Sequence, residues 1–217
     1  SETDLFKVEA SVLEIYKEQV NDLLESNKLN LNLIEQKNKK LIIDELTNVP
    51  VINENQLQEV INIGLSKRNT LNSDYNSKSH FIIILTIHRY NTNEQKMKVG
   101  KLFLIDLEGS ERISKMRIEN ESLEEKKLLN KSLIALSIIV QNLSNQKDSQ
   151  TYIHYRDSKL TRIISDLFGG NAFPSIILTC SKNEYSTNET RNTLLFGERA
   201  RKIKNKPIVT LDVDMEN

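Results

Sequence analysis

A single cysteine, Cys180, in 217 residues rules out an internal disulfide and any zinc cluster built on cysteine. It sits in the apolar run Ser175 to Cys180, where a buried structural thiol is expected, and such sparse thiol usage suits a reducing compartment. Charge of neither sign dominates: Lys+Arg 30 balances Asp+Glu 30, so no global field points to nucleic acid, and an acidic partner has to be met by a local patch. No uninterrupted apolar run approaches the roughly 18 residues of a membrane span, and Ser1 to Lys7 has no signal-peptide pattern. These absences predict a cytoplasmic protein without a nucleic-acid or membrane partner. The six glycines, at 64, 100, 109, 169, 170 and 197, include no pair separated by four residues and followed by Lys-Ser or Lys-Thr. A phosphate-cradling P-loop is therefore absent from these residues.

What is present is a highly charged globular chain, 38% hydrophobic and 28% charged. Val8 to Tyr16 reads as a strand and Glu18 to Leu24 as a short helix with Val20, Leu23 and Leu24 on one face. Glu25 to Lys40 reads as an edge strand plus an exposed loop, and Leu41 to Val51 as a short strand pair closed by Pro50. Glu54 to Lys67 has helical spacing, whereas Phe81 to Tyr90 and Val99 to Ile105 are strands joined by a polar hairpin. Glu119 to Asn145 is the longest helical pattern, followed by an amphipathic helix over Lys159 to Phe168 with a stop at Gly169-Gly170-Asn171. Ser175 to Thr179 reads as a short buried strand, and Asn188 to Lys202 as a final helix. With no repeat and no obvious linker, the alternation predicts one α/β domain.

Four stretches carry chemistry. Val99 to Arg112 ends a buried strand in Asp106, followed by Gly109 and Glu111. A carboxylate there can hold Mg²⁺ through water, and a nearby glycine lets a bare backbone N–H approach a phosphate oxygen. By itself the pattern reads first as a strand followed by a polar turn. Ser73 to His80 clusters hydroxyls around Lys78, suited to Mg²⁺ or a γ-phosphate, or simply to a polar loop with His80 as a structural histidine. Tyr155 to Arg162 opens a helix that Asp157 or Ser158 can cap, with Arg156, Lys159 and Arg162 projecting outward, either to grip an acidic protein or as a solvated face. Leu129 to Leu136 packs on one side and exposes Asn130 and Lys131.

Taken in order, these stretches resemble the kinesin motor domain. Leu13 to Leu24 looks like the family's fourth strand and the helix after it, Ser77-Lys-Ser-His80 like switch I, Asp106 to Glu111 like switch II, and Leu129 to Leu136 like the switch II relay helix. Tyr155 to Arg162 with Gly169-Gly170-Asn171 resembles the microtubule-facing loop and helix, and Thr193 to Pro207 the last helix and the start of the neck linker. The likeness spans about Val8 to Val209. It implies a P-loop NTPase-type α/β fold with a mixed central sheet flanked by helices, incomplete on its N-terminal side. Residues 1–209 would be part of a motor domain and 210–217 a tail.

The same resemblance implies the site roles. Ser77 and Asp106 would hold the metal, Ser77 directly and Asp106 through water, and Ser79, His80 and Gly109 would complete the nucleotide-facing set. Gly109 would sense the γ-phosphate, and Glu111 would pair with Lys78 and relay a proton from the attacking water. Asn130, Lys131, Tyr155, Arg156, Asp157, Lys159 and Arg162, with Lys127 beside them, would face the microtubule. The cofactors implied are ATP and Mg²⁺, and the setting is the cytoskeleton, with dimerisation through segments outside this chain. Four departures stand out: Lys78 where the family usually has Arg, Asn76 in place of the first Ser of a Ser-Ser pair, Ser73 where the family usually has Asn, and Glu108 in place of a small residue, an expected extra negative charge near the phosphate. The family's P-loop precedes the Val8 strand and is not among these residues, so the chain alone is expected to have no useful ATP affinity and to leave apolar strand edges open. The alternative function is a nucleotide-independent microtubule-binding remnant without ATPase activity.

Overall fold

Asp4–Tyr16 is strand β1 of the computed structural model, which describes residues 4–36, 41–69, 79–93, 96–110, 123–145 and 152–208; within 123–129 the side chain described is Leu128. β1 turns back at Lys17 and Glu18 into β2, Gln19–Asp22, so that Ile15 faces Val20. Both turn residues have positive φ, 47° and 63°, the geometry that matches the twist of a two-residue hairpin. This corrects the expected helix over Glu18 to Leu24. Neither turn residue is a glycine or asparagine, so no local signal marked the hairpin, and the apolar Val20, Leu23 and Leu24 fit a helical period by coincidence.

β3 (Leu33–Glu35) and β4 (Leu41–Ile43) pair with each other, while β5 (Val49–Val51) pairs with β1 and places Pro50 opposite Glu9. Pro50 thus lies within a strand at the sheet margin, where its missing N–H costs no ladder bond, and does not close a strand pair. The long β6, His80–Asn91, runs antiparallel to β1 from Ile15↔His80 to Asp4↔Asn91, and β7, Lys96–Asp106, pairs with β6 from Asn91↔Lys96 to Phe81↔Asp106. Among the described residues the order is β2-β1-β6-β7, and β7 has no partner on its outer edge. Leu102 and Leu104, which share one face of that strand, are nearly half exposed.

Helix α1, Glu54–Asn69, begins where Asn53 accepts the Gln56 backbone N–H, and it covers one sheet face over a core of Ala10, Val12, Leu23, Val51, Val60, Phe81 and Ile83. Gly64 permits that approach: a Cβ there would lie 2.5 Å from Val12 Cγ1, whose residue is fully buried on the stiff strand. Gly64→Ala is therefore expected to lower stability by about 1–2 kcal/mol despite its helix propensity, read as a fall in the urea midpoint; an unchanged or raised midpoint would contradict the packing account.

The described residues divide into two compact units, one ending at Glu108 and the other running from Gly109 to Ile208. In the second, helix α2 (Leu123–Ser144) buries Leu133, Ala135, Leu136, Ile139 and Val140. It packs against the 3-10 turn Tyr155–Asp157, the short helix α3 (Lys159–Ile163) and helix α4 (Thr187–Ala200). α3 is shorter than expected because the chain tightens into a second 3-10 turn, Ser165–Leu167, before Gly169 ends it at φ 78°. The expected buried strand at Ser175 to Thr179 is not formed. These residues are irregular and exposed, Ile177 at 90%, and Cys180 is exposed rather than buried. An apolar run becomes a strand only when another backbone takes up its N–H and C=O groups, and none among the described residues does. Among the described residues no helix is long and apolar enough to cross a membrane.

Candidate functional site

Asp106 is the last residue of β7 and faces Phe81 in the ladder, one residue from His80 at the start of β6. Arg68, in the last turn of α1, reaches both strand ends. Its Nη1 donates to Asp106 Oδ2 at 2.8 Å, its Nη2 to the Ser79 carbonyl at 2.8 Å and its Nε to Ser79 Oγ at 3.3 Å, while the guanidinium lies 5.2 Å from the Phe81 ring centre. Arg68 and Ser79 are buried, but the Asp106 carboxylate is 67% exposed. The planar fork of arginine suits this task, since one side chain satisfies a carbonyl, a hydroxyl and a carboxylate at once.

His80 is buried beside this cluster, 1% exposed. The backbone N–H of Glu108 donates to its Nδ1 at 3.0 Å, which leaves the ring proton on Nε2, 3.5 Å from Glu108 Oε1. Burial, reinforced by the Arg68 charge and opposed by Asp106, pushes the His80 pKa down to about 4. The ring is therefore neutral near pH 7, and its contact with Glu108 is an N–H facing a carboxylate, not an ion pair. The unfolded chain binds a proton near pH 6.5 that the folded ring refuses, so stability from His80 is complete above 6.5 and lost as pH falls toward 4, about 3 kcal/mol in all. Urea unfolding across pH 4 to 7 should show this extra acid loss in the wild type and not in His80→Gln; equal slopes would refute it.

The second group lies in the other unit. Ser158 caps α3, accepting from Thr161 N at 3.1 Å in a reciprocal capping box, so it is Ser158 and not Asp157 that starts the helix. Arg156 and Asp157 are exposed on the preceding turn, Lys159 and Arg162 are half-buried on α3, and Lys131 is exposed and Asn130 half-buried on α2, which packs against both. Tyr155 turns inward: its hydroxyl donates to the Phe168 carbonyl at 2.5 Å, and burial, with Asp166 adding to it, pushes the phenol pKa up. It braces the turn that displays Arg156.

Of the residues singled out in the sequence, Ser79, His80 and Asp106 come together around Arg68, and Asn130, Lys131 and Tyr155 to Arg162 belong to mutually packed elements of the second unit. Gly109, half-buried, begins that unit directly after Glu108. Ser73, Asn76, Ser77, Lys78 and Glu111, and the side chain of Lys127, lie outside the described residues. Glu108, expected to add negative charge near a phosphate, is buried and directed to His80.

Sequence reading passed over Arg68 and Asn205. Asn205 Nδ2 donates to the Leu167 and Ala172 carbonyls at 2.9 Å each, and its Oδ1 accepts from Gly169 N at 3.0 Å, pinning the chain after α4 to the turn after α3. The available signal for Arg68 was a cation in the last turn of a helix that leads into a hydroxyl-rich loop. For the metal, the hard oxygen of Asp106 suits Mg²⁺ held through water, and among the described residues no cluster of three His, Cys, Asp or Glu forms a metal cage.

Comparison with known proteins adds an independent finding. The family model of the kinesin motor domain matches residues 1–203. The chain is 43% identical over 204 residues to kinesin-related protein 3 of Dictyostelium discoideum, covering 93% of this chain and 17% of that protein. It is 38% identical over 214 residues to the human kinesin-1 heavy chain, covering 97% of this chain and 22% of that one. A solved structure of a fast kinesin superposes with a TM-score of 0.89 at 37% identity, over 99% of this chain and 61% of that chain. The chain thus spans about a fifth of the length of the curated relatives it matches.

Proposed function

Because the chain belongs to the kinesin motor-domain family, we propose that residues 1–209 work as part of a microtubule motor that couples ATP binding and hydrolysis to movement, with 210–217 as a tail. The observation that carries this reading is the Arg68 bridge. It bonds the end of β7 at Asp106 to Ser79, the residue before β6, so the two loops that would face the nucleotide leave from one fixed point. A displacement of either loop by a phosphate then starts from a rigid base.

When bound, ATP with Mg²⁺ supplies the γ-phosphate whose presence is sensed. Ser77 and Asp106 would hold the metal, and Ser79 and His80 would fix the strand start below them. The Gly109 N–H would bond the phosphate, and Glu111 would pair with Lys78 and relay a proton from the attacking water. Lys78 offers a point charge where arginine would offer a fork, so that latch is looser. Tight nucleotide binding needs a P-loop, which these 217 residues do not contain. In the second unit, Lys131, Arg156, Lys159 and Arg162, with Asn130 and Asp157 between them, form the basic face for the acidic microtubule, and Tyr155 supports it from behind. The cytoplasmic cytoskeleton is the corresponding location.

The chain is expected to co-sediment with microtubules at low ionic strength and to be released as salt rises past the screening length of about 10 Å reached near 0.1 M. Failure to bind at low salt would overturn the polymer-facing assignment. In a motor domain completed by a P-loop segment, Glu111→Ala should cut microtubule-stimulated phosphate release about 100-fold, and unchanged turnover would refute the role of Glu111. Binding indifferent to nucleotide in that completed domain would favour the remnant reading instead.

A further inference from the structure

Glu108 holds both nitrogens of one buried imidazole. Its backbone N–H donates to His80 Nδ1 at 3.0 Å, and its carboxylate Oε1 lies 3.5 Å from Nε2. The two contacts are mutually exclusive with any other ring proton arrangement, since the backbone group can only donate and so requires the lone pair at Nδ1. His80 itself is locked in the ladder opposite Ile15, and its neighbour Phe81 is paired with Asp106. The grip therefore ties a segment beyond the end of β7, Leu107 and Glu108, back to the rigid start of β6. Gly109 follows directly. A small side chain at 108, which the family pattern favours, could supply the backbone half of this grip and not the carboxylate half.

We propose that Glu108 is a positioning residue which, by clasping His80 at both ring nitrogens, holds Leu107 and Glu108, the residues that lead into Gly109, against the start of β6. The consequence rests on the reading of Gly109 as the phosphate sensor. A sensor that is already ordered loses less conformational entropy when phosphate arrives, so binding is eased while the contrast between the phosphate-bound and phosphate-free states shrinks. Glu108 thus tunes how strongly the sensor responds, and it does so through protein contacts alone.

The test uses this 217-residue chain, uniformly ¹⁵N-labelled, with Glu108→Ala and Glu108→Gln. In the wild type, long-range ¹H–¹⁵N correlations at pH 7 should show His80 as the Nε2–H form. In Glu108→Ala the residue-108 amide should exchange with solvent at least tenfold faster and the Gly109 signal should sharpen, while Ile83, paired on β6 between β1 and β7, keeps its protection. Glu108→Gln, whose amide oxygen still accepts from Nε2–H, should return exchange to within about threefold of wild type. Equal protection in wild type and Glu108→Ala overturns the proposal, as does a glutamine variant that behaves like alanine. Should Glu108→Ala lose Ile83 protection as well, Glu108→Asp, one methylene too short for the same reach, takes its place with the same expected outcome. No nucleotide enters this measurement, so the clasp stands or falls independently of the motor reading. The same variants, measured for the fold-difference in turnover with and without microtubules in a P-loop-completed domain, test the sensor reading.

Discussion

Replacing Arg156 and Lys159 together by glutamate is expected to remove microtubule co-sedimentation at an ionic strength where the wild-type chain binds. Each reversal turns an attraction to an acidic surface into a repulsion, and like-charge juxtaposition costs several kcal/mol, so a combined loss of about 3 kcal/mol, or more than 100-fold in affinity, is the expected scale. Arg156 is exposed on the 3-10 turn and Lys159 half-buried at the first position of α3. Their surroundings are held by other groups: Ser158 and Thr161 by the capping box, Leu160 and Ile163 in the core, and Tyr155 by its bond to Phe168. The thermal midpoint of the variant, measured alongside, separates a lost binding face from a lost fold. A glutamate at 159 even favours the helix start, because negative charge is stabilised there. Co-sedimentation undiminished at low salt would place the polymer-binding face elsewhere.

Arg68→Ala is expected to destabilise the first unit by about 3 kcal/mol. The Asp106 arm contributes the smaller share, since that carboxylate is 67% exposed and its charge is screened by water. The larger cost comes from Ser79, fully buried, whose carbonyl and hydroxyl both bond the guanidinium, and from the lost contact with Phe81. Arg68→Lys should recover only part of the loss, since a single ammonium cannot reach the carbonyl, the hydroxyl and the carboxylate in one geometry. Urea midpoints of the two variants decide the matter. An Arg68→Ala midpoint equal to that of the wild type would remove the bridge from the account of how β6 and β7 end together.

Most of the element order was legible in the sequence because burial leaves a periodic record. β1, β6 and β7 follow from apolar runs with β-branched residues, α1 and α2 from helical spacing, and the Gly169 stop from its glycine. The errors share a physical cause. Val20, Leu23 and Leu24 are apolar, but periodicity cannot distinguish a helix face from a strand that turns back at Lys17 and Glu18. Ser175 to Cys180 has strand composition, yet without a ladder partner its backbone stays irregular and its side chains exposed. Asp106, Ser79 and His80, singled out by order and residue type, lie together beside Arg68. Arg68 itself was not singled out, because a cation at a helix end most often lies in solvent.

By itself the sequence determined the family, most of the run of strands and helices, and the absence of a P-loop among these residues. These properties are written in local composition and spacing. The tertiary structure alone decided that Arg68 bridges Ser79 and Asp106, that Tyr155 faces inward to Phe168, and that the negative charge of Glu108 points to His80 and not outward. Each of these depends on what the fold brings opposite a side chain from distant sequence, and a polar residue carries no mark of whether its partner will be water or another part of the chain.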